Sequence, residues 1–437
     1  MIKTICLIFI LIIYYLSVST LFCQTSGEES EYVNDDFLRY NNHVYKDSIY
    51  TIQLHKEGWE LTYPVINLDS EDRLLLSFDD LNPEIKNYYY TFVHCNTIWE
   101  PSGLMTNEFL EGFAENQIND YSFSFNTTIK YVHYSVVFPN DDVKFVYSGN
   151  YIVMVYEDFN QEKLVFTRRF SVVEQLAQID AVIKQASQLD LRKSSQEIDF
   201  TIKHSGLQID DPYNDIKVVI CQNNRWDNAV KDIKPLLIKN NELYYDYDQE
   251  NVFEAGSEFR NFDIKSIRYQ TQYIQEIVFK EPFYHVRLLS DDYRRFKIFF
   301  HDKDINGRYF IKIDDRDDSN VEADYVYVYF TLPFDAPVID GNIYVFGALS
   351  NWNFNSKNQM FYNYEEKAYQ LKLLIKQGYY NYEYVYVKDG SEYADHTYIE
   401  GSHYETENDY IIYIYYKNIR SRYYRLVGYQ IINSQIN

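Results

Sequence analysis

The chain has 437 residues, a formal net charge of −24 and 46% hydrophobic residues. That length and apolar content support two to four packed domains and rule out a wholly disordered chain. So acidic a chain is repelled by phosphate backbones and anionic lipid headgroups, which excludes nucleic-acid binding.

Lys3 gives a short positive start, residues 5–22 are almost wholly apolar, and Cys23-Gln24 opens a polar stretch. This predicts a signal peptide over 1–23, removed after Cys23. An uncleaved anchor is a second reading. A lipoprotein cut before Cys23 is a third, although Phe22 is bulkier than that cleavage wants. No other run approaches spanning length. Residues 24–40 read as a flexible acidic leader.

An N-terminal β-sandwich is expected over 41–174. Strands are predicted at 44–58, 59–68 and 73–81. They continue through YTFVHCNTIWEPSGL (90–104), SFSFNTT (122–128), YVHYSVVFPNDD (131–142), SGNYIVMVYED (148–158) and FTRRFSVV (166–173). Each is a short run of Tyr, Phe, Val and Thr, stopped by Pro, Gly, Asn or Asp, as half-buried antiparallel strands are. The 18% aromatic content, with 47 Tyr, suits sheets with one wet face, because the ring is buried while the hydroxyl stays hydrated. Residues 105–118 are an irregular insert with a helical turn.

A middle β domain is expected over 175–313. It starts with strands in AQIDAVIKQ and QEIDFTIKH, then a buried strand in IKVVICQ. Residues 265–279 and 283–289 read as paired strands, extended by RRFKIFF and GRYFIKI. The acidic run 314–324 reads as a solvated linker. Five or more strands then make a C-terminal early-set-like sandwich over 325–437. The fold class is all-β, with tandem immunoglobulin-like or early-set sandwiches and no repeat of fixed period.

No nucleophile elbow, phosphate loop, HExxH or CxxC occurs, so no catalytic residue, cofactor or metal site is expected. Adjacent His94 and Cys95 would point to opposite faces of a strand and do not suit one metal. DKDING (302–307) matches half of a calcium loop, but its twelfth position is Ile313, and Asn-Gly is equally a hairpin turn. Cys95 and Cys221 allow one disulfide or two buried thiols. In the third unit, Gly347, Asn351, Trp352, Gly378, Tyr380, Tyr382 and Tyr384 sit as in glycogen-binding modules. Tyr369 stands where those modules carry a sugar-stacking Trp, so Trp352 is either a glycan-stacking candidate or a packing residue.

One family resembles the chain along nearly all its length after the signal. YPVINLDSEDRLLLSFDDL, YYTFVHCNTIWEPSGL, NTTIKYVHYSVVFPNDD, SGNYIVMVYE, FTRRFSVVE, ICQNNRWDNAV, GSEFRNFDIKSIRY, DINGRYFI, EADYVYVYFTLP and IEGSHYETENDY are similar to the plug protein of the type IX secretion system of Bacteroidetes-type bacteria. EAGSEFR (254–260) departs from the pattern where a second Gly and an Asn are expected. The resemblance implies a non-enzymatic periplasmic protein, without small-molecule substrate, that docks on the outer-membrane translocon barrel and closes its pore. Loops at 96–102 and 139–142 are candidate contacts, through Trp99, Pro139 and Asn140; alternatively these residues only shape turns. A periplasmic glycan-binding protein is the alternative function.

Overall fold

In the computed structural model, residues 37–435 are described; the expected signal peptide and most of the leader lie outside them. Residues Arg39–Asn437 form one compact unit built from three β-sandwiches, with helical segments of at most four residues among the described residues.

Aromatic alternation builds the first sandwich. One sheet orders Ile49–Lys56, Leu74–Asp80, Val132–Phe138 and Asp120–Phe123. The other orders His43–Val44, Leu164–Val173, Gly149–Glu157, Tyr88–Cys95 and Asn116–Gln117, with Val65–Asn67 running parallel to the end of Leu164–Val173. Phe78 sits between the sheets, with Tyr134, Tyr88 and Phe166 ring centroids 4.9–5.2 Å away. Such offset and edge contacts stabilise beyond the area they bury. Strand Gly149–Glu157 is buried along almost its whole length because both its faces are covered. Tyr151, Val153 and Val155 face the sandwich core, whereas Ile152 packs outward with Cys95 and Trp99.

The second and third sandwiches are nested, which corrects the serial order expected from sequence. Gln178–Gln185, Ser195–Lys203, Glu242–Tyr245, Leu237–Lys239 and Val252–Glu254 make one sheet of the second sandwich. Its facing sheet orders Val230–Lys231, Ile216–Gln222, Asp409–Tyr416 and Arg425–Asn433. Val218 pairs Ile414 and Ile220 pairs Ile412, so the last two strands close the second body, not a third. The third sandwich occupies the stretch between Glu254 and Asp409. It packs Arg260–Asp263, Gly378–Lys388, Tyr309–Ile311 and Gly341–Phe346 against Ile274–Lys280, Phe283–Leu288, Tyr325–Pro333, Ala368–Lys376 and Phe361–Asn363. Period-2 alternation tells which face of Asp409–Tyr416 is apolar but not which sheet it joins.

Two further expectations are corrected. The acidic run 314–324 is solvated at Asp314, Asp315, Asp317 and Asp318, which are exposed, but its end docks on the first sandwich. Phe125 donates its N–H to the Val321 carbonyl at 2.8 Å, and Asp324, 1% exposed, accepts from the Thr128 N–H and hydroxyl. RRFKIFF belongs to no strand, although GRYFIKI contributes Tyr309–Ile311.

Candidate functional site

The chemistry-bearing side chains gather at the joints between the sandwiches. The outer face of Ile216–Gln222 and Asp409–Tyr416 puts Val219, Cys221, Ile411, Tyr413 and Tyr415 against Tyr63, Val65 and Val173 of the first sandwich. Trp99 wedges beside this seam. Its ring lies 5.0 Å edge-on from Trp226, and the Arg169 guanidinium stacks 4.5 Å above it.

Buried ion pairs clamp the bodies together. Lys376 of the third sandwich meets Asp79 of the first at 2.6 Å, with both side chains 1% exposed. Asp79 also accepts from the Tyr325 hydroxyl at 2.6 Å and pairs His133 Nδ1 at 2.7 Å. Burial alone would raise this carboxyl, but Lys376 and His133 outweigh it and hold Asp79 below its usual range. Arg225 of the second sandwich reaches into the third, donating to the Ala394 carbonyl at 2.7 Å and to His396 Nδ1 at 2.9 Å, beside Asp227. Glu383 lies 3.5 Å from Arg225; burial still pushes its carboxyl up to about 8. Arg308 links all three bodies. It donates to the Leu61 carbonyl, stacks on Tyr63 and lies 3.4 Å from Asp409.

Within the third sandwich, Glu400 accepts from Arg260 at 2.9 Å, Arg294 at 2.6 Å and the Tyr384 N–H at 2.9 Å. Burial would raise it, but Arg260 and Arg294 hold it down at about 2. Such satisfied buried charges fix one relative placement of the elements that carry them. The one potential metal cluster among the described residues, Glu197, Asp199 and Asp246, already surrounds the Lys184 ammonium, which lies 2.5 Å from Asp199 and 3.0 Å from Glu197.

A cavity of about 310 Å³ opens where the three bodies meet. Trp99, Trp226, Trp352, Asn41, Asn353 and Glu392 are among its lining residues. Asn41 Oδ1 and Trp99 Nε1 are buried without a hydrogen-bond partner among the described residues.

The expected contact residues are placed as follows. Trp99 is 4% exposed, because the Asn96 carboxamide caps the Ile98 and Glu100 N–H groups and turns the indole inward at φ +67°. It is a joint residue, not a free docking tip. Asn140 spends its side chain on its own turn, accepting from the Asp142 and Val143 N–H groups and donating to the Val137 carbonyl; Pro139 beside it is half-buried. Trp352 is half-buried against Phe346 and Phe259, and its Cη2 would lie 2.4 Å from a Cβ at Gly307. The structure thus brings Trp99 and Trp352 to one cavity and leaves Pro139 and Asn140 elsewhere. In DKDING, Asp302 accepts from Tyr273 and Asn261 while Asp304 accepts from the Phe259 and Asn306 N–H groups, so the two carboxylates serve separate partners. Cys95 and Cys221 are free, buried thiols. Sequence reasoning missed Arg225, Arg308, Lys376 and Asp79; an arginine beside Trp226 in a turn was the one local cue.

Residues 49–174, which are the first sandwich almost strand for strand, match the type 9 secretion system plug protein 1st domain. The chain belongs to the type 9 secretion system plug family. A crystal structure of a hypothetical protein from Parabacteroides merdae ATCC 43184 resembles this plug-family chain with a TM-score of 0.88 and 37% identity. The similarity covers 91% of this chain and 100% of that one, so it extends through the nested second and third sandwiches. No curated protein matches the chain.

Proposed function

We propose that this plug-family protein seats on the periplasmic mouth of the outer-membrane type IX translocon barrel and closes its pore when no substrate passes. The observation that carries this is the match of the first sandwich to the plug domain. The clamped joints support it. A wide barrel encloses water and leaks unless obstructed. An obstruction works by keeping its shape, and buried pairs such as Lys376–Asp79 resist separation of the bodies. The role needs no bond-making chemistry, cofactor or small-molecule substrate. Opening is then an equilibrium between bound and released plug, biased by another partner. Gentle-detergent purification should recover a very large outer-membrane barrel, and deletion should raise outer-membrane permeability. A protein that runs alone, with unchanged permeability on deletion, refutes the proposal.

A second function, glycan binding, is favoured by the cavity that gathers three indoles and two unpartnered polar atoms. Titration with linear glucans should then saturate and be lost in Trp352→Ala; absence of binding at millimolar glucan disposes of it.

A further inference from the structure

The buried cations of this protein are neutralised by carboxylates, except at one place. Arg225 meets Asp227 at 2.7 Å, Arg260 meets Glu400 at 2.9 Å and Lys376 meets Asp79 at 2.6 Å. Arg168 and Arg169, neighbours on strand Leu164–Val173, pair with no carboxylate among the described residues. Arg168 is 4% exposed and donates to neutral oxygens, the Thr167 carbonyl at 2.8 Å and the Asn351 carboxamide at 2.9 Å. Arg169 donates through Nε to the Tyr40 carbonyl at 2.9 Å, and its guanidinium lies 4.5 Å from the Trp99 ring and 5.7 Å from the Trp226 ring.

That leaves Nη1 and Nη2 of Arg169 without a partner among the described residues. Neither is sealed from solvent, and Arg169 lines the cavity where the three bodies meet, so both open into that cavity. Burial lowers Arg169 only to about 10, so the group is charged at neutral pH. A partly desolvated cation is costly until an anion joins it. With Nε already spent, the two terminal nitrogens present a planar fork that matches the two oxygens of a carboxylate.

The rest of the wall narrows the ligand. Asp227 also lines the cavity but is taken by Arg225, and Glu392 stands exposed at the rim. Two acids so close disfavour a doubly charged phosphate and admit a single negative charge. Asn41, Asn42, Asn224, Asn351 and Asn353 line the cavity beside Trp226 and Trp352. Asn42 accepts from the Arg169 N–H, and Asn353 donates to the Asn42 carbonyl. Asn42 Nδ2, Asn353 Oδ1 and the Asn224 carboxamide then have no partner among the described residues, and such neutral donors and acceptors suit hydroxyl groups. A volume of about 310 Å³ suits a ligand of one ring. We infer that this cavity binds an acidic sugar, a uronic acid unit, with its carboxylate on the Arg169 fork and its hydroxyls on the surrounding asparagines. The inference rests on the glycan reading given above and deepens it; the plug function does not depend on it.

The test titrates the purified full chain by calorimetry at fixed ionic strength. The probes are sodium D-glucuronate, its neutral isostere D-glucuronamide, succinate, inorganic phosphate and neutral linear glucan. Glucuronate should saturate and bind roughly tenfold or more tighter than glucuronamide, since only the acid engages the fork as a charged pair. That comparison needs no variant. Arg169→Lys keeps the charge, loses the fork and should weaken glucuronate roughly tenfold; its melting temperature shows whether the fold is kept. In wild type, glucuronate should also shift tryptophan emission, because three of the four indoles line the cavity. Equal binding of glucuronate and glucuronamide, or binding of neutral glucan alone, overturns the acidic-sugar inference while the glycan reading stands. Succinate or phosphate binding as tightly as glucuronate would make this an anion site that reads no sugar, which also overturns it. If no probe binds at millimolar concentration, both the inference and the glycan reading fall.

Discussion

Replacing Lys376 by methionine tests whether the joint between the first and third sandwiches is held by charge. Methionine keeps the stem of the side chain and removes the ammonium that lies 2.6 Å from Asp79. Asp79 is then a carboxylate at 1% exposure with only Tyr325 and His133 as partners. Removing one member of a buried pair costs about 3–5 kcal/mol, because the other charge is left unpaired. Spread over about 400 residues, that lowers the melting temperature by roughly 4–6 °C. The pH dependence identifies the cause. In wild type the depressed Asp79 contributes stability above the unfolded carboxylate range, and that stability is lost as pH falls through its folded value. In Lys376→Met the unpaired Asp79 binds a proton more readily, so the deficit should shrink as pH is lowered. Adding Asp79→Asn to Lys376→Met should restore most of the loss at neutral pH. Calorimetry across pH on the single and double variants reads all three effects. A loss below about 0.5 kcal/mol, or a double variant no more stable than Lys376→Met, would refute a joint held by this pair.

Raising pH from 6 to 9 should itself destabilise the protein. Burial lifts Glu383 to about 8 and Asp304 to about 7, so each holds its proton more tightly folded than unfolded; their contribution is full below the unfolded value and is lost as pH rises through 7–8. Glu383→Gln should flatten that slope in a melting series. Trp99→Ala should cost about 3–5 kcal/mol in a urea titration, against less than about 0.5 for Trp59→Ala, whose indole is 69% exposed. Gly307→Ala forces a Cβ to 2.4 Å from Trp352 at φ +75° and should cost about 1–3 kcal/mol by the same assay. Burial raises the Cys95 thiol to about 12 and Cys221 likewise upward, so neither should react with an aqueous thiol reagent until the protein is unfolded.

Individual strands were legible because alternation and turn residues are local signals. Tyr325–Pro333 is the clearest case, since its Tyr-Val alternation ending at Pro333 marks the strand that forms. Pairing was not legible where a strand returns from far away: Asp409–Tyr416 was assigned by position to the last body, but its partner is Ile216–Gln222. RRFKIFF was read as a strand from propensity alone, and propensity yields when no sheet edge accepts the segment. A loop position leaves Trp99 open as a contact or as a turn-former; the Asn96 side chain decides by turning that loop inward. The Lys376–Asp79 clamp joins residues 297 apart, and no pattern within one sequence connects two such positions.

The nesting of one sandwich inside another sets an order of assembly. Strands Gln178–Gln185 to Val252–Glu254 emerge early, yet the apolar core they begin is completed only when Asp409–Asn433 arrives beside Ile216–Gln222. The N-terminal body and the inserted body can each condense from contiguous chain, so the middle body is completed last and any truncation before Asp409 leaves it open-faced. In a chain made from its N-terminus, that late closure makes Asp409–Asn433 the latch of the middle body.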